Sequence, residues 1–187
     1  MPRRLIGFRR PAPPLADDAV RLEPLHRGLQ AEFRWVVDGD EDIRRFTYVP
    51  SAPDPEFLER WLGRYEDGWE TGTCAGFAIR GADDGPLIGF AALVHLDLDR
   101  RESEIGYMLE QAARGRGAAT RAVDLLTRWG FDTLGLERLE LRISAANTAS
   151  QRVAQKAGYQ LDGVLRGVSF KEGLRDDVSV WSRLASD

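Results

Sequence analysis

The stretch Arg114-Gly115-Arg116-Gly117-Ala118-Ala119-Thr120 decides how the rest of this chain is read. It lies between a strand-like segment ending near Leu109 and a helix-like segment that begins at Ala118. Strand, glycine turn and helix start follow one another directly. The two glycines let backbone N–H groups converge where a Cβ would intrude, and the helix N-terminus behind them carries partial positive charge. A phosphate or diphosphate is the natural guest of such a turn, and Arg114 and Arg116 add charge-assisted donors. The plainer reading of a glycine pair is a tight turn with solvated arginines; the flanking segments decide between the two. A P-loop would need Lys and then Ser or Thr after its second glycine, where Ala118 and Ala119 stand. A dinucleotide turn would want a third glycine at Thr120. Neither pattern fits.

Downstream of the turn, residues 118–134 place Ala119, Ala122, Val123, Leu126 and Trp129 on one side and Arg121, Asp124, Arg128 and Asp132 on the other, an amphipathic helix. Upstream, residues 74–80, 87–98 and 102–109 read as three strands, the first two joined across residues 81–85. Beyond the helix, residues 137–144 (ERLELRIS) alternate strictly, residues 149–157 form a short helix closed by Gly158, and residues 159–168 and 177–184 are two further strands. Toward the N-terminus, residues 19–25 (AVRLEPL) alternate like a short strand. The segment to Tyr48 predicts one or two short helices carrying Leu29, Phe33, Trp35 and Ile43 inward. After Pro53 and Pro55, the spacing of Phe57, Leu58, Trp61, Leu62 and Tyr65 predicts a helix with Gly68 beyond its end. This mixed order implies an α/β (α+β) sheet with helices packed on it.

With 187 residues, 43% hydrophobic and 30% charged, the composition is that of one soluble globular domain. A chain of this size buries roughly 70% of its unfolded surface and needs no disulfide or structural metal. The basic start, with Leu5 to Phe8 as its only apolar run and Pro11, Pro13 and Pro14 following, lacks the h-region of a secretory signal; residues 1–16 are expected to be a loose arm. The lone Cys74 fits a cytoplasmic protein, and the absence of a Cys/His cluster leaves no metal site to propose. No apolar run approaches the ~20 residues of a membrane span. With 26 basic against 30 acidic side chains, the surface as a whole repels a phosphate backbone, so no nucleic-acid partner is expected.

The pattern of Arg114, Gly117 and Ala119 resembles the coenzyme A diphosphate loop of the GNAT superfamily of N-acetyltransferases. Upstream, residues 104–109 (EIGYML) are similar to the fourth strand of its ribosomal-protein (RimJ/RimL-like) branch. Downstream, Asn147 and Ser150 with Lys156, Gly158 and Tyr159 resemble that branch's Asn-x-x-Ser … Lys-x-Gly-aromatic helix. The resemblance extends over about half of the chain, residues 87–184. It implies the GNAT fold: a mixed central sheet of about six to seven strands, helices on both faces, and a splay between the family's fourth and fifth strands that admits the pantetheine arm. It implies acetyl-CoA as cosubstrate and acetyl transfer to a primary amine, on a peptide N-terminus or a small molecule, by direct attack in a ternary complex. A catalytically silent acyl-CoA sensor is the alternative, and the protein is expected as a monomer or homodimer.

Under this resemblance the cofactor-binding residues are Tyr107, Met108, Leu109, Arg114, Gly115, Arg116, Gly117, Ala118, Ala119, Thr120, Asn147 and Ser150. A helix N-terminus gives a bound anion ~0.3–1 kcal/mol, at best ~2. Micromolar affinity needs about 8 kcal/mol, so Arg114, Arg116 and strand-like pairing of the pantetheine amides with residues 107–109 must supply most of the rest. Transfer also needs a base for the amine, a donor for the oxyanion and an acid for the departing thiolate. Glu104 is the candidate base, on the strand face of Gly106 and Met108. A backbone N–H near Met108 or Leu109 is the oxyanion donor, and Ser150 the acid. Asn147 also reads as an ordinary N-cap. His26 and His95 are expected to be structural. The acidic run Asp38, Asp40, Glu41 and Asp42 reads first as a solvated helix start, and Trp35, Phe46, Tyr48, Trp61 and Trp69 as core aromatics.

Overall fold

The computed structural model describes residues 8–50, 52–82 and 85–187. Its strands are β1 (Leu15–Ala16), β2 (Val20–Pro24), β3 (Ala75–Gly81), β4 (Leu87–Asp97), β5 (Glu102–Leu109), β6 (Arg138–Ser144), β7 (Gln160–Lys171) and β8 (Leu174–Leu184). They form one mixed sheet in the order β1-β2-β3-β4-β5-β6-β8-β7. The eight strands exceed the expected six to seven because Leu15–Ala16 pairs with Leu22 and Arg21 at the edge. The helices are α1 (Gln30–Val37), α2 (Glu41–Phe46), α3 (Pro55–Thr71), α4 (Ala118–Asp132) and α5 (Thr148–Lys156). Among the described residues no helix is long and apolar enough to cross a membrane.

Alternation along the strands divides the core. Ile105 and Leu109 of β5 and Leu139, Leu141 and Ile143 of β6 pack with Ala122, Val123, Leu126 and Trp129 of α4. Phe90 and Ala92 of β4 and Met108 of β5 face the other way, against Phe33 and Val36 of α1 and Leu58, Leu62 and Tyr65 of α3. Helices thus cover both faces, and each large apolar side chain buried this way contributes about 1.5–3 kcal/mol.

The family's fourth and fifth strands are β5 and β6 here, the one parallel pair among the described strands. They pair only at Glu102–Arg138, Ser103–Leu139 and Glu104–Glu140. Beyond Glu104, β5 stays with β4 as far as Leu109, and β6 stays with β8 as far as Ser144. Each strand keeps its antiparallel neighbour, so the parallel contact opens into the expected splay.

Three expectations change. Trp35 is 65% exposed rather than buried, because α1 buries Phe33, Val36 and Val37, and a residue two positions from Phe33 falls on the opposite face. From Phe8 onward the N-terminal arm is docked rather than loose. Phe8 packs on Trp69 and Trp129, with ring centroids 5.1 and 5.9 Å away, before β1 joins the sheet; residues 1–7 of the arm lie outside the described residues, as do Asp83 and Asp84 of the expected 81–85 link. Gly68 lies inside α3, which starts on the Asp54 cap (Phe57 N–H to Oδ1, 2.7 Å) and ends at Gly72 with φ +73°.

Gly68 is there for contact, not for a turn. A Cβ at this position would sit 2.2 Å from Cys74 Sγ and 2.8 Å from the Cys74 carbonyl oxygen. Gly68→Ala is therefore expected to destabilise the fold by about 1–3 kcal/mol despite alanine's better helix propensity. A urea midpoint no lower than the parent's would refute the close-contact account.

Candidate active site

Where β5 and β6 part, a cleft of about 780 Å³ opens and runs from the glycine turn past the ends of both strands to α2, Trp61 and Tyr65. Glu104, Tyr107, Met108, Leu109, Arg114, Gly115, Gly117, Ala118, Ala119, Thr120, Asn147 and Ser150 all line it. Arg116 does not: it borders a separate hollow with Ile88, Glu110 and Ala112. Of the aromatic set, Phe46, Tyr48 and Trp61 line the cleft, while Trp69 is core.

In the turn, Gly115 has φ +76° and Gly117 φ +88°, and a Cβ on either would meet nothing within 4 Å. Backbone conformation, not space, calls for glycine there. No side chain caps α4 at Gly117, and the N–H groups of residues 115–120 meet no protein acceptor among the described residues. A row of free amides at the N-terminus of a 15-residue helix fits the diphosphate of coenzyme A.

The Arg114 side chain has partners within the protein. Its Nε and Nη2 donate to the Leu109 carbonyl at 3.1 and 2.9 Å, Nη1 donates to Asp42 at 3.1 Å, and Nη2 also pairs with Asp40. In this structure it ties the turn to β5 and α2 while still lining the cleft. Asp40 and Asp42 are correspondingly not just a solvated helix start. Asp40 caps α2, accepting from Ile43 N–H at 2.9 Å, and its side chain is only 9% exposed. Asp40→Ala is expected to cost about 1–2 kcal/mol, mostly the lost cap, since Arg114 is partly exposed and its ion pair is discounted for solvent. Thermal unfolding of the variant would check this.

The bond from Glu110 N–H to the Ile88 carbonyl (2.9 Å) sets the parity of β5. Strand alternation then turns the N–H groups of Gly106 and Met108 toward β4 and those of Tyr107 and Leu109 toward the gap. Of the two candidate oxyanion donors, Leu109 N–H is the one directed into the splay.

Glu104 occupies the last paired position before the strands separate, opposite Val94 on one side and Glu140 on the other. Burial raises its pKa above the ordinary carboxylate value, while the charges of His95 and Arg142 oppose the rise and Glu140 adds to it. Its carboxyl is not a solvated partner of Arg100 or Arg101, which pair with Glu102 and Glu137. Across the gap, Asn147 Oδ1 caps α5 by accepting from Ser150 N–H at 3.0 Å. The Tyr107 hydroxyl, its pKa pushed up to about 12 by burial, reaches the Ser150 carbonyl at 3.5 Å. The Ser150 hydroxyl has no hydrogen-bond partner among the described residues.

Among the cleft residues that sequence reasoning missed are Arg45 of α2, Arg64 and Tyr65 of α3, His95 of β4 and Arg142 of β6. His95 is an exposed cleft residue at the irregularity between Val94 and Asp97, not a core histidine. Only Tyr65 carried a sequence signal, as part of a helical stripe.

A split parallel pair with free amides at its mouth and a half-buried carboxylate at its root is the architecture of an acyl-CoA-dependent transferase. The Acetyltransferase (GNAT) domain family matches residues 20–160, and the chain belongs to that family. It is 30% identical over 155 residues to the spermidine N(1)-acetyltransferase of Escherichia coli, covering 83% of this chain and 80% of that protein. It is 28% identical over 98 residues to the ribosomal-protein-serine acetyltransferase of the same species, covering 52% and 55%. The solved structure of RimL, a ribosomal alpha-N-protein acetyltransferase in complex with coenzyme A, matches with a TM-score of 0.82 at 16% identity, over 91% of this chain and 96% of that one; this is a likeness of fold. The protein is an acetyl-CoA-dependent N-acetyltransferase with RimJ/RimL-like relatives.

Proposed function

We propose that the protein acetylates a primary amine, foremost the α-amino group of a peptide or protein and next a small-molecule amine, by direct attack on the thioester in a ternary complex. The observation that carries this reading is Glu104 at the root of the splay, its carboxyl turned into a cleft continuous with the free amides of residues 115–120. Acetyl-CoA, when bound, supplies the thioester. Glu104 takes the amine proton, directly or through water, and Leu109 N–H donates to the carbonyl oxygen as negative charge develops there. The Ser150 hydroxyl passes its proton to the departing thiolate and is reprotonated through water, while Glu104 releases the amine proton to solvent, so both side chains return to their starting states.

Energetics favour an α-amino acceptor. Deprotonating one at pH 7 costs about 1 kcal/mol, against roughly 4–5 kcal/mol for a lysine side chain, and the cleft offers one unpaired carboxylate to do it. Screening acetyl-CoA consumption against α-amino peptides, lysine peptides and small amines tests the reading. Turnover with α-amino peptides above the rest is expected; preference for lysine peptides would overturn it.

A further inference from the structure

The charges facing the acceptor half of the cleft do not match the charge of the chain. Overall the protein carries a net −4, and several arginines outside the cleft are paired, as Arg27 is with Glu66 and Arg80 with Glu32. Arg45, Arg64 and Arg142 line the cleft and form no ion pair among the described residues. On the acidic side, Asp42 is held by Arg114 and Glu140 by Arg138. Glu104 alone is left without a salt bridge.

Strand register sets these cations around the carboxylate. His95 follows Val94, the β4 partner of Glu104, and Arg142 lies one same-face step beyond Glu140, its β6 partner. Arg64 approaches from α3: the neighbouring Tyr65 hydroxyl, raised to about 12 chiefly by burial, senses both the Arg64 charge and the Glu104 charge. An amine bound in this cleft shares it with guanidinium groups that no carboxylate among the described residues neutralises, Arg64 resting over the Tyr65 ring at 5.5 Å. A polycation is repelled there, whereas an amine with its own anion finds donors suited to a carboxylate or phosphate.

We infer that the acceptor is a primary amine bearing a carboxylate or phosphate group near the amine, read by Arg64 and Arg142. The inference rests on the transferase reading and names the acceptor class. Both residues act as specificity determinants; neither takes part in the proton transfers. The anion is carried either by an acidic side chain close to a peptide N-terminus or by a small molecule.

The test compares four amine types in the full chain with saturating acetyl-CoA: peptides with an acidic residue at position two, small amino acids or aminoalkyl phosphates, the matching neutral amides, and spermidine. Anion-bearing amines are expected to exceed their amides by about tenfold or more in kcat/KM, equivalent to about 1.4 kcal/mol. The advantage should lie in KM and shrink at high salt. In Arg64→Ala/Arg142→Ala the ratio of acid to amide should collapse toward one, and the Lys/Lys variant should keep part of it. Calorimetric binding of the same amines gives a readout independent of turnover, and the first two classes distinguish peptide from small-molecule sources. Equal or better use of amides or spermidine overturns the inference. So does an Ala/Ala variant whose defect lies in KM for acetyl-CoA, which would assign the arginines to the donor's phosphates. Absence of turnover with every amine would instead sink the acceptor reading beneath it, and calorimetry would still decide for or against the arginines.

Discussion

Glu104→Gln is expected to lower kcat by about a hundredfold to ten-thousandfold while leaving coenzyme A affinity within about twofold of the parent. Glutamine keeps the side chain's size and position at the root of the splay but cannot take the amine proton. The pH profile separates this from a packing defect. Only the ionised carboxylate acts as base, so the rate falls as pH drops through the folded-state pKa. Burial raises that pKa, and the acid limb of the parent's profile should sit above the ordinary carboxylate range and vanish in the variant. Stability should move the other way. A carboxyl whose folded pKa is raised contributes stability at pH below its unfolded pKa and loses it as pH rises, so at neutral pH Gln relieves a burial cost and the variant should unfold no more easily than the parent. Unchanged turnover in Glu104→Gln would remove Glu104 from the reaction.

Gly117→Val should raise the dissociation constant for coenzyme A by about tenfold to a hundredfold, or roughly 1.4–2.8 kcal/mol. With φ at +88° and open space around a Cβ, the penalty is conformational. A β-branched residue in the left-handed region costs roughly 1–2 kcal/mol, which the turn relieves by rotating and scattering its amides. Because no charge is removed, the salt dependence of binding should stay that of the parent. Gly117→Asn supplies the control, since Asn tolerates this conformation better, and calorimetry should show much of the affinity restored. Equal affinity in the Val variant would mean that the amides of this turn do not hold the diphosphate.

Both experiments act on features whose sequence signals differ in kind. The turn was legible because glycine at residues 115 and 117 between a period-two and a period-3.6 segment has few physical meanings. The same periodicity carried β3, β4, β5, β6 and α4 to within a few residues. Gly68 misled because a glycine near the end of an apolar stripe reads as a stop, whereas here it clears room for Cys74, a contact between α3 and the approach to β3. The partners of Arg114 were out of reach of the sequence for a related reason. Its place in the motif points at a phosphate, but its partners Asp40 and Asp42 arrive from α2, more than seventy residues earlier in the chain.

Hydrophobic period and turn chemistry act between neighbours in the chain, and they are enough to set the succession of strands and helices, the amide-bearing turn and the membership of Glu104 in a strand face. Which charges meet in the cleft is a matter of register and packing. His95 and Arg142 flank Glu104 because β4, β5 and β6 pair as they do, and Arg64 joins them because α3 lies on that face of the sheet. Coulomb interactions depend on distance through space, and only the folded chain sets those distances.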